Sequence, residues 1–267
     1  MKLILIVVTL LLAWGAEAKC QQVDETDWYY ETFSSDGKTC ARIVATPKTI
    51  PETPKYGGDL VVPSTLSGYP VTQIGENAFN DCRGLRTVVI PSSVVSIESG
   101  AFYNCMFMTS VVIPSSVTNI GAGAFHACGS LTSVEIPEGV TLIGYGAFSN
   151  CGGLTAVTIP KSVRSIGDGA FGNCFGLTSV TILEGVEVIG PDAFSECNEL
   201  ATVTIPKSVT RVARGAFSEC RKLSSVNISD LFDWCGIEFG TQDSNPLYYA
   251  HKLYQSGKEI IYLDIPG

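Results

Sequence analysis

The chain has 267 residues, of which 45% are hydrophobic and 16% charged, a composition that supports one continuous apolar core and excludes a disordered polymer. Its formal net charge of -9 argues against nucleic acid and anionic membrane surfaces as partners. Two histidines in the whole chain leave little for acid–base or metal chemistry.

Met1-Lys2, the apolar run from Leu3 to Trp14 and the small residues Ala16 and Ala18 make the three parts of a secretory signal peptide, with cleavage expected after Ala18. The run is about a dozen residues, too short for a transmembrane helix, and no later segment is suited to span a bilayer. Lys19 disfavours lipid attachment at Cys20. Residues 19–57 read as a cap. Trp28 to Phe33 and Thr39 to Val44 are strand-like runs on either side of Asp36-Gly37, a strong hairpin signal, and the polar, proline-rich stretch from Ala45 follows as a loop. The hairpin's aromatics are expected to cover the open end of the first coil.

From residue 58 to 228 the chain repeats every 23 residues. The unit reads Leu-Thr-Ser-Val-x-Ile-Pro-x-x-Val-x-x-Ile-Gly-x-x-Ala-Phe-x-x-Cys-x-x, and Leu131 to Gly153 is a good copy. A fixed period of this length is the signature of a solenoid, one coil per repeat. Val134 and Ile136 with a polar residue between them predict a short strand with one buried face, closed by Pro137. Gly75, Gly121, Gly144, Gly167 and Gly190 mark a bend where a Cβ is unwelcome; Glu98 and Ala213 in the same row argue that the bend is not strictly left-handed. Phe79, Phe102, Phe125, Phe148, Phe171, Phe194 and Phe217 are expected to fill the coil interior.

These motifs resemble the BspA-like leucine-rich repeats, the 23-residue type of bacteria and some protists, over roughly Asp59 to Ile228. The resemblance implies a right-handed leucine-rich-repeat solenoid with one parallel β-sheet face, mostly β and irregular, and a role in surface attachment. Residues 229–267 read as an irregular variant repeat: a short helical segment from Ser229 to Cys235, an excursion around Asn245 to His251, and a final strand-plus-proline from Ile260 to Pro266, where the chain reads as truncated. Cys235 is expected to pack with Trp234.

Ten cysteines in an exported chain ordinarily suggest disulfides. Seven of them, Cys82, Cys105, Cys128, Cys151, Cys174, Cys197 and Cys220, share one repeat position among Ala, Phe and Leu, and an odd row cannot pair completely. They read as a ladder of buried free thiols. Cys20 and Cys40, outside the repeat, are the candidate disulfide pair. A one-dimensional thiol row does not converge on a metal, and no nucleophile–base pair, zinc motif or phosphate loop is present, so neither enzyme chemistry, a metal nor a cofactor is expected. His126 reads as an exposed loop residue.

The outward strand positions are the candidate binding face. Thr87, Ser110, Ser133, Ser179, Thr202 and Ser225 precede the buried valine; Glu135, Thr158, Thr181 and Thr204 follow it, with Val89 and Val112 at one end. The same pattern also follows from the fitness of β-branched residues for solvated strands. Glu138, Lys161, Glu184 and Lys207 alternate in sign and are expected to pair up the stack. The sequence thus predicts a secreted or cell-surface protein that binds an extracellular protein or glycan, with no membrane insertion after signal cleavage. The alternative is a non-binding spacer presenting another domain.

Overall fold

The computed structural model describes residues 28–44 and 58–260. The signal segment, Cys20, the loop after Val44 and the stretch Ile261–Pro266 lie outside the described residues. The protein is a β-solenoid of about nine turns. Strands β1 (Tyr30–Ser35) and β2 (Lys38–Ile43) form an antiparallel hairpin. Its turn places Asp36 and Gly37 at φ 51° and 72°, the left-handed pair that matches the strand twist. β3 (Gly58–Val61), β4 (Thr65–Leu66) and β5 (Tyr69–Ile74) make the first coil, in which β4 and β5 pair as a small antiparallel hairpin.

Each later coil contributes to one or both of two parallel ladders. In chain order the strands are β6 (Leu85–Val89), β7 (Ser96–Ile97), β8 (Ser110–Val112), β9 (Asn119–Ile120), β10 (Leu142–Ile143), β11 (Ala156–Ile159), β12 (Ser165–Ile166), β13 (Ser179–Ile182), β14 (Val188–Ile189), β15 (Thr202–Ile205), β16 (Arg211–Val212) and β17 (Ser225–Ile228). Two-residue strands run as an unbroken ladder from the hairpin through β5, β7, β9, β10, β12, β14 and β16. The repeat pattern had pointed to one sheet face; this second ladder lies at the Val-x-x-Ile half of the unit. The longer strands form the foreseen sheet in two pieces, β3-β6-β8 and a set that starts at β11.

At the C-terminal end α1 (Leu231–Cys235) is capped by Asp230, whose carboxylate accepts from the Phe232 and Asp233 amides. β18 (Glu238–Phe239) extends the short ladder. α2 (Leu247–Ala250) leads to β19 (Leu253–Gln255), which continues the long one, and β20 (Lys258–Ile260) folds back antiparallel on β19. The strand that follows β17 in the long ladder is therefore at residues 253–255. Cys235 is exposed and does not join Trp234, which is buried and meets the Phe239 ring at 5.4 Å. The short α1 turns its last residue outward.

The seven phenylalanines are fully buried and stack in one column, with successive centroids 5.0 Å apart at Phe79–Phe102 and 5.5 Å at Phe194–Phe217. Trp28 closes the N-terminal end, its ring edge-on to Phe79 at 6.2 Å. Backbone bonds lock the column: the Phe125 amide donates to Ala147 O at 2.7 Å, and Phe148 repeats this to Ala170 O at 2.7 Å. The glycines after the isoleucine do not have positive φ; a Cβ on Gly121 or Gly144 would lie 2.7 Å from backbone of the preceding coil. The left-handed turn falls two residues later, in the row Asn77, Gly100, Gly123, Gly146, Gly169, Asp192 and Gly215. A further left-handed position directly precedes each cysteine, at Asn104, Asn150 and Asn173 among others.

The charge row is not paired: no ion pair within 4.0 Å links Glu138, Lys161, Glu184 and Lys207. Adjacent coils are instead bridged at Arg164–Glu187 (3.3 Å) and Lys222–Glu199 (2.7 Å). Truncation in the phenylalanine column is the sharper test of the core. Phe148→Ala should destabilise the protein by about 3–5 kcal/mol in denaturant unfolding, the cost of deleting a packed aromatic.

Candidate functional site

The thiol ladder carries no chemistry. All seven repeat cysteines are buried, and from Cys105 onward each Sγ–H donates to the carbonyl of the phenylalanine one coil earlier, for example Cys151 to Phe125 O at 3.2 Å and Cys174 to Phe148 O at 3.2 Å. Sequence reasoning treated cysteine as a small hydrophobe and missed this donor. Burial pushes Cys128, Cys174 and Cys220 up to about 12. Burial, then the Asp81 charge, raises Cys82 to about 11. These groups stay protonated at any physiological pH, which removes the thiolate needed for nucleophilic attack or metal binding. No cluster of three or more potential metal ligands occurs among the described residues. Cys40 is buried with its Sγ 3.9 Å from Lys38 O, and its suggested partner Cys20 lies outside the described residues. His126 is half-buried and lies flat on Tyr103 at 4.7 Å; burial lowers its pKa.

The candidate face is the outer side of the long strands. Thr87, Ser110, Ser179, Thr181, Thr202, Thr204 and Ser225 are half-buried there; Ser133, Glu135 and Thr158 are exposed. The parallel register sets Ser179 beside Thr202 and Thr202 beside Ser225, and likewise Thr158 beside Thr181 and Thr181 beside Thr204. Thr87 donates to Asp59 at 2.6 Å and Thr202 accepts from Asn227 at 3.0 Å. The other hydroxyls of the set make no side-chain hydrogen bond among the described residues. One row earlier the hydroxyls are spent: Thr109, Thr132, Thr155 and Thr178 each donate to the carbonyl of the preceding coil, Thr178 to Thr155 O at 2.9 Å. Sequence alone does not separate these two neighbouring rows, because the difference lies in which hydroxyl meets a carbonyl.

The face is interrupted. The strand expected at Val134–Ile136 is absent, β8 pairs only with β6, and β11 only with β13. Ser133 to Ile136 make no backbone–backbone hydrogen bond among the described residues. The bonds at the edge of the break are long, 3.4 Å from Thr132 N to Thr109 O and 3.3 Å from Thr155 N to Thr132 O, against 2.8 Å from Thr178 N to Thr155 O. The opposite corner stays closed, with Phe125 and Phe148 5.2 Å apart. Glu135 is the one carboxylate in an outward strand row otherwise made of Val, Thr and Asn, and Glu is a poor strand residue. A cavity of about 420 Å³ opens at the break, its lining including Val134, Glu135, Ile136, Glu138, Val157 and Leu183.

Each 23-residue coil thus combines an apolar strand position, a packed phenylalanine and a buried cysteine. The family model of the BspA type Leucine rich repeat region matches residues 64–177 and 165–238, in six copies. The chain belongs to this family. Among solved structures it is similar to a leucine-rich repeat protein of Bacteroides ovatus, with 28% identity and TM-score 0.64 over 77% of this chain and 54% of that one. It is also similar to the leucine-rich repeat protein of T. pallidum, with 27% identity and TM-score 0.64 over 76% and 91% of the two chains. A leucine-rich cell surface protein of Faecalibacterium prausnitzii matches at 28% identity and TM-score 0.52, over 74% of this chain and 68% of that one. The chain spans about half the length of the Bacteroides ovatus protein. No curated protein matches the chain. BspA-type membership supports a repeat-based protein-interaction scaffold, and the solved neighbours are leucine-rich repeat proteins.

Two measurements check this geometry. Iodoacetamide applied to the native protein should alkylate exposed Cys235 and leave the seven ladder thiols unmodified until denaturant is added. In hydrogen exchange, the amides of Val134, Glu135 and Ile136 should exchange roughly tenfold or more faster than those of Val180, Thr181 and Ile182, which sit in a bonded ladder.

Proposed function

We propose that this BspA-type protein is an exported binding protein that attaches to an extracellular protein or glycan through the outer face of its long-strand sheet. The observation that carries the reading is the field of hydroxyls from Ser110 to Ser225, which apart from Thr202 make no side-chain hydrogen bond among the described residues, while the neighbouring threonine row is consumed by inter-coil bonds. Unspent donors and acceptors on a rigid, regularly spaced surface suit extended contact with a polar ligand. The signal segment at the N-terminus and the similarity to a leucine-rich cell surface protein support an extracellular setting. The face carries few of the Trp, Tyr and Arg anchors that dominate compact hot spots, so contact is extended and multivalent.

The test is binding of the purified chain to an array of extracellular-matrix proteins and glycans. The control is a variant with Ser133→Arg and Ser179→Arg, whose folding is verified by its melting curve. Selective binding that the double variant loses supports the face as the site. Binding that the variant keeps places the site elsewhere. No binding from a folded sample favours a spacer that presents another domain.

A further inference from the structure

The long-strand face ends in a side-chain group that its regular coils lack. Its outward row runs Thr158, Thr181, Thr204 and Asn227 in register, and past the last 23-residue unit β19 sets Tyr254 beside Asn227. On the other side of Tyr254 the returning β20 places Glu259 opposite it. An amide, an aromatic ring and a carboxylate therefore occupy paired positions on three adjacent strands. Two of them are tied together: the Tyr254 hydroxyl donates to Glu259 Oε2 at 3.2 Å, and Lys252 Nζ lies 3.7 Å from the same oxygen. An open cavity of about 950 Å³ lies at this end of the sheet, and its lining includes Ser225, Asn227, His251, Lys252, Tyr254 and Glu259.

The chemistry of the lining selects the occupant. The Ser225 hydroxyl and Glu259 Oε1 make no hydrogen bond among the described residues. Asn227 donates one amide N–H to Thr202 at 3.0 Å, and its carbonyl oxygen has no partner among the described residues. Lys252 and Glu259 offset one another, so the cavity offers donors and acceptors with no excess of either charge. Its aliphatic side chains are Ala250 and Ile260, too few for the mainly apolar lining that a hydrophobic ligand requires. A neutral sugar matches this lining. Each of its hydroxyls both donates and accepts, and the C–H face of a pyranose is attracted to the negative face of an aromatic ring. We propose that this cavity is the glycan subsite of the sheet face. It takes a neutral hexopyranose with its C–H face on the Tyr254 ring and its hydroxyls on Asn227, Glu259 and Ser225. The bond from Tyr254 and the charge of Lys252 hold the carboxylate in place before the sugar arrives, which lowers the ordering cost of binding. Strands about 4.8 Å apart put Ser179 three steps, about 15 Å, from Tyr254, so an oligosaccharide anchored at the ring reaches it along the unspent hydroxyls. This inference rests on the sheet face being the binding face, and it names the place and the ligand class.

The experiment uses the whole chain and fluorescent hexasaccharides of glucose, galactose, mannose and N-acetylglucosamine, read by anisotropy, with a hexamer of galacturonic acid as the charged control. The cavity variants are Tyr254→Ala, Tyr254→Phe and Glu259→Ala. Tyr145→Ala removes an exposed tyrosine in the turn before Phe148, and melting curves verify that every variant folds. The expected result is binding of at least one neutral hexamer, weakened about tenfold or more by Tyr254→Ala and by Glu259→Ala. Tyr254→Phe keeps the ring and should cost no more than about threefold, and Tyr145→Ala no more than about twofold. Equal weakening by Tyr254→Ala and Tyr145→Ala would mean general attraction to exposed rings and overturns the proposal, as does binding of the galacturonic acid hexamer as tight as that of the neutral ones. Loss on Ser179→Arg with no effect of Tyr254→Ala overturns the cavity and leaves the sheet-face reading standing. If no sugar binds while the matrix array still shows attachment that the Ser133→Arg, Ser179→Arg variant loses, the glycan subsite alone is refuted. Failure of both assays refutes the face as well.

Discussion

Seven phenylalanine rings stacked face over face fix how one coil follows another, with a step of 5.0–5.5 Å between equivalent centroids. From Phe79 to Phe194 each phenylalanine is held by its own amide bond to the next coil and by a thiol bond that the following cysteine sends back to its carbonyl. The column is therefore a packing device and a hydrogen-bonding device at once. Loosening the stack at any coil therefore costs packing and also strains these bonds, in an interior where an unsatisfied donor or acceptor costs about 1–3 kcal/mol. The cysteine row follows from this constraint. A residue of small volume that also offers a donor suits the position beside a phenylalanine carbonyl, and burial keeps its proton in place.

The 23-residue beat made the coil legible because three chemically distinct rows repeat together: alternating Val and Ile, the Ala-Phe pair, and the cysteine. The hairpin turn was legible in Asp36-Gly37 for the same kind of reason, since few residues accept left-handed φ. The second ladder was harder to see. Its strands are two residues long, too short to establish a period of two, and only the step to the next coil reveals that Ile97, Ile120 and Ile143 are in register. The left-handed row was hidden for another reason. Asn and Asp replace Gly at residues 77 and 192, so the row does not stand out by composition, whereas the more regular glycines at 121 and 144 serve close approach. The charge row misled because alternating signs along a repeat do not guarantee that side chains reach one another; the bridges formed at Arg164 and Lys222 instead.

The candidate face was legible as a set of outward residues and illegible as a surface. Alternation tells which side chains point out. It does not tell which hydroxyls find a carbonyl within the protein, and this separates the spent row of Thr109 to Thr178 from the unspent row of Ser110 to Ser225. Nor does a good match to the repeat guarantee a bonded strand: Leu131 to Gly153 fits the unit closely and is the coil whose strand is missing.

The step set at the phenylalanine corner does not by itself account for that missing strand, because the rings advance by 5.4 Å and 5.5 Å where the long ladder is intact. Hydrogen-bonded strands sit about 4.7–4.9 Å apart, while the rings advance by 5.2 Å at Phe102–Phe125 and 5.2 Å at Phe125–Phe148. A stack whose step is longer at one corner than at the opposite face must curve, with the strand face on the inside. Curvature accumulates with every coil, and each strand keeps its bonds only while its outward side chains tolerate close neighbours. Val, Thr and Ser do so. Glu135 brings a hydrated carboxylate between Val112 and Thr158, and ladder bonding lapses at that coil while the apolar corner, which excludes water, holds. Glu135 thus coincides with the interruption of the ladder and lines the cavity found there, where every other 23-residue coil of its row carries Val, Thr or Asn.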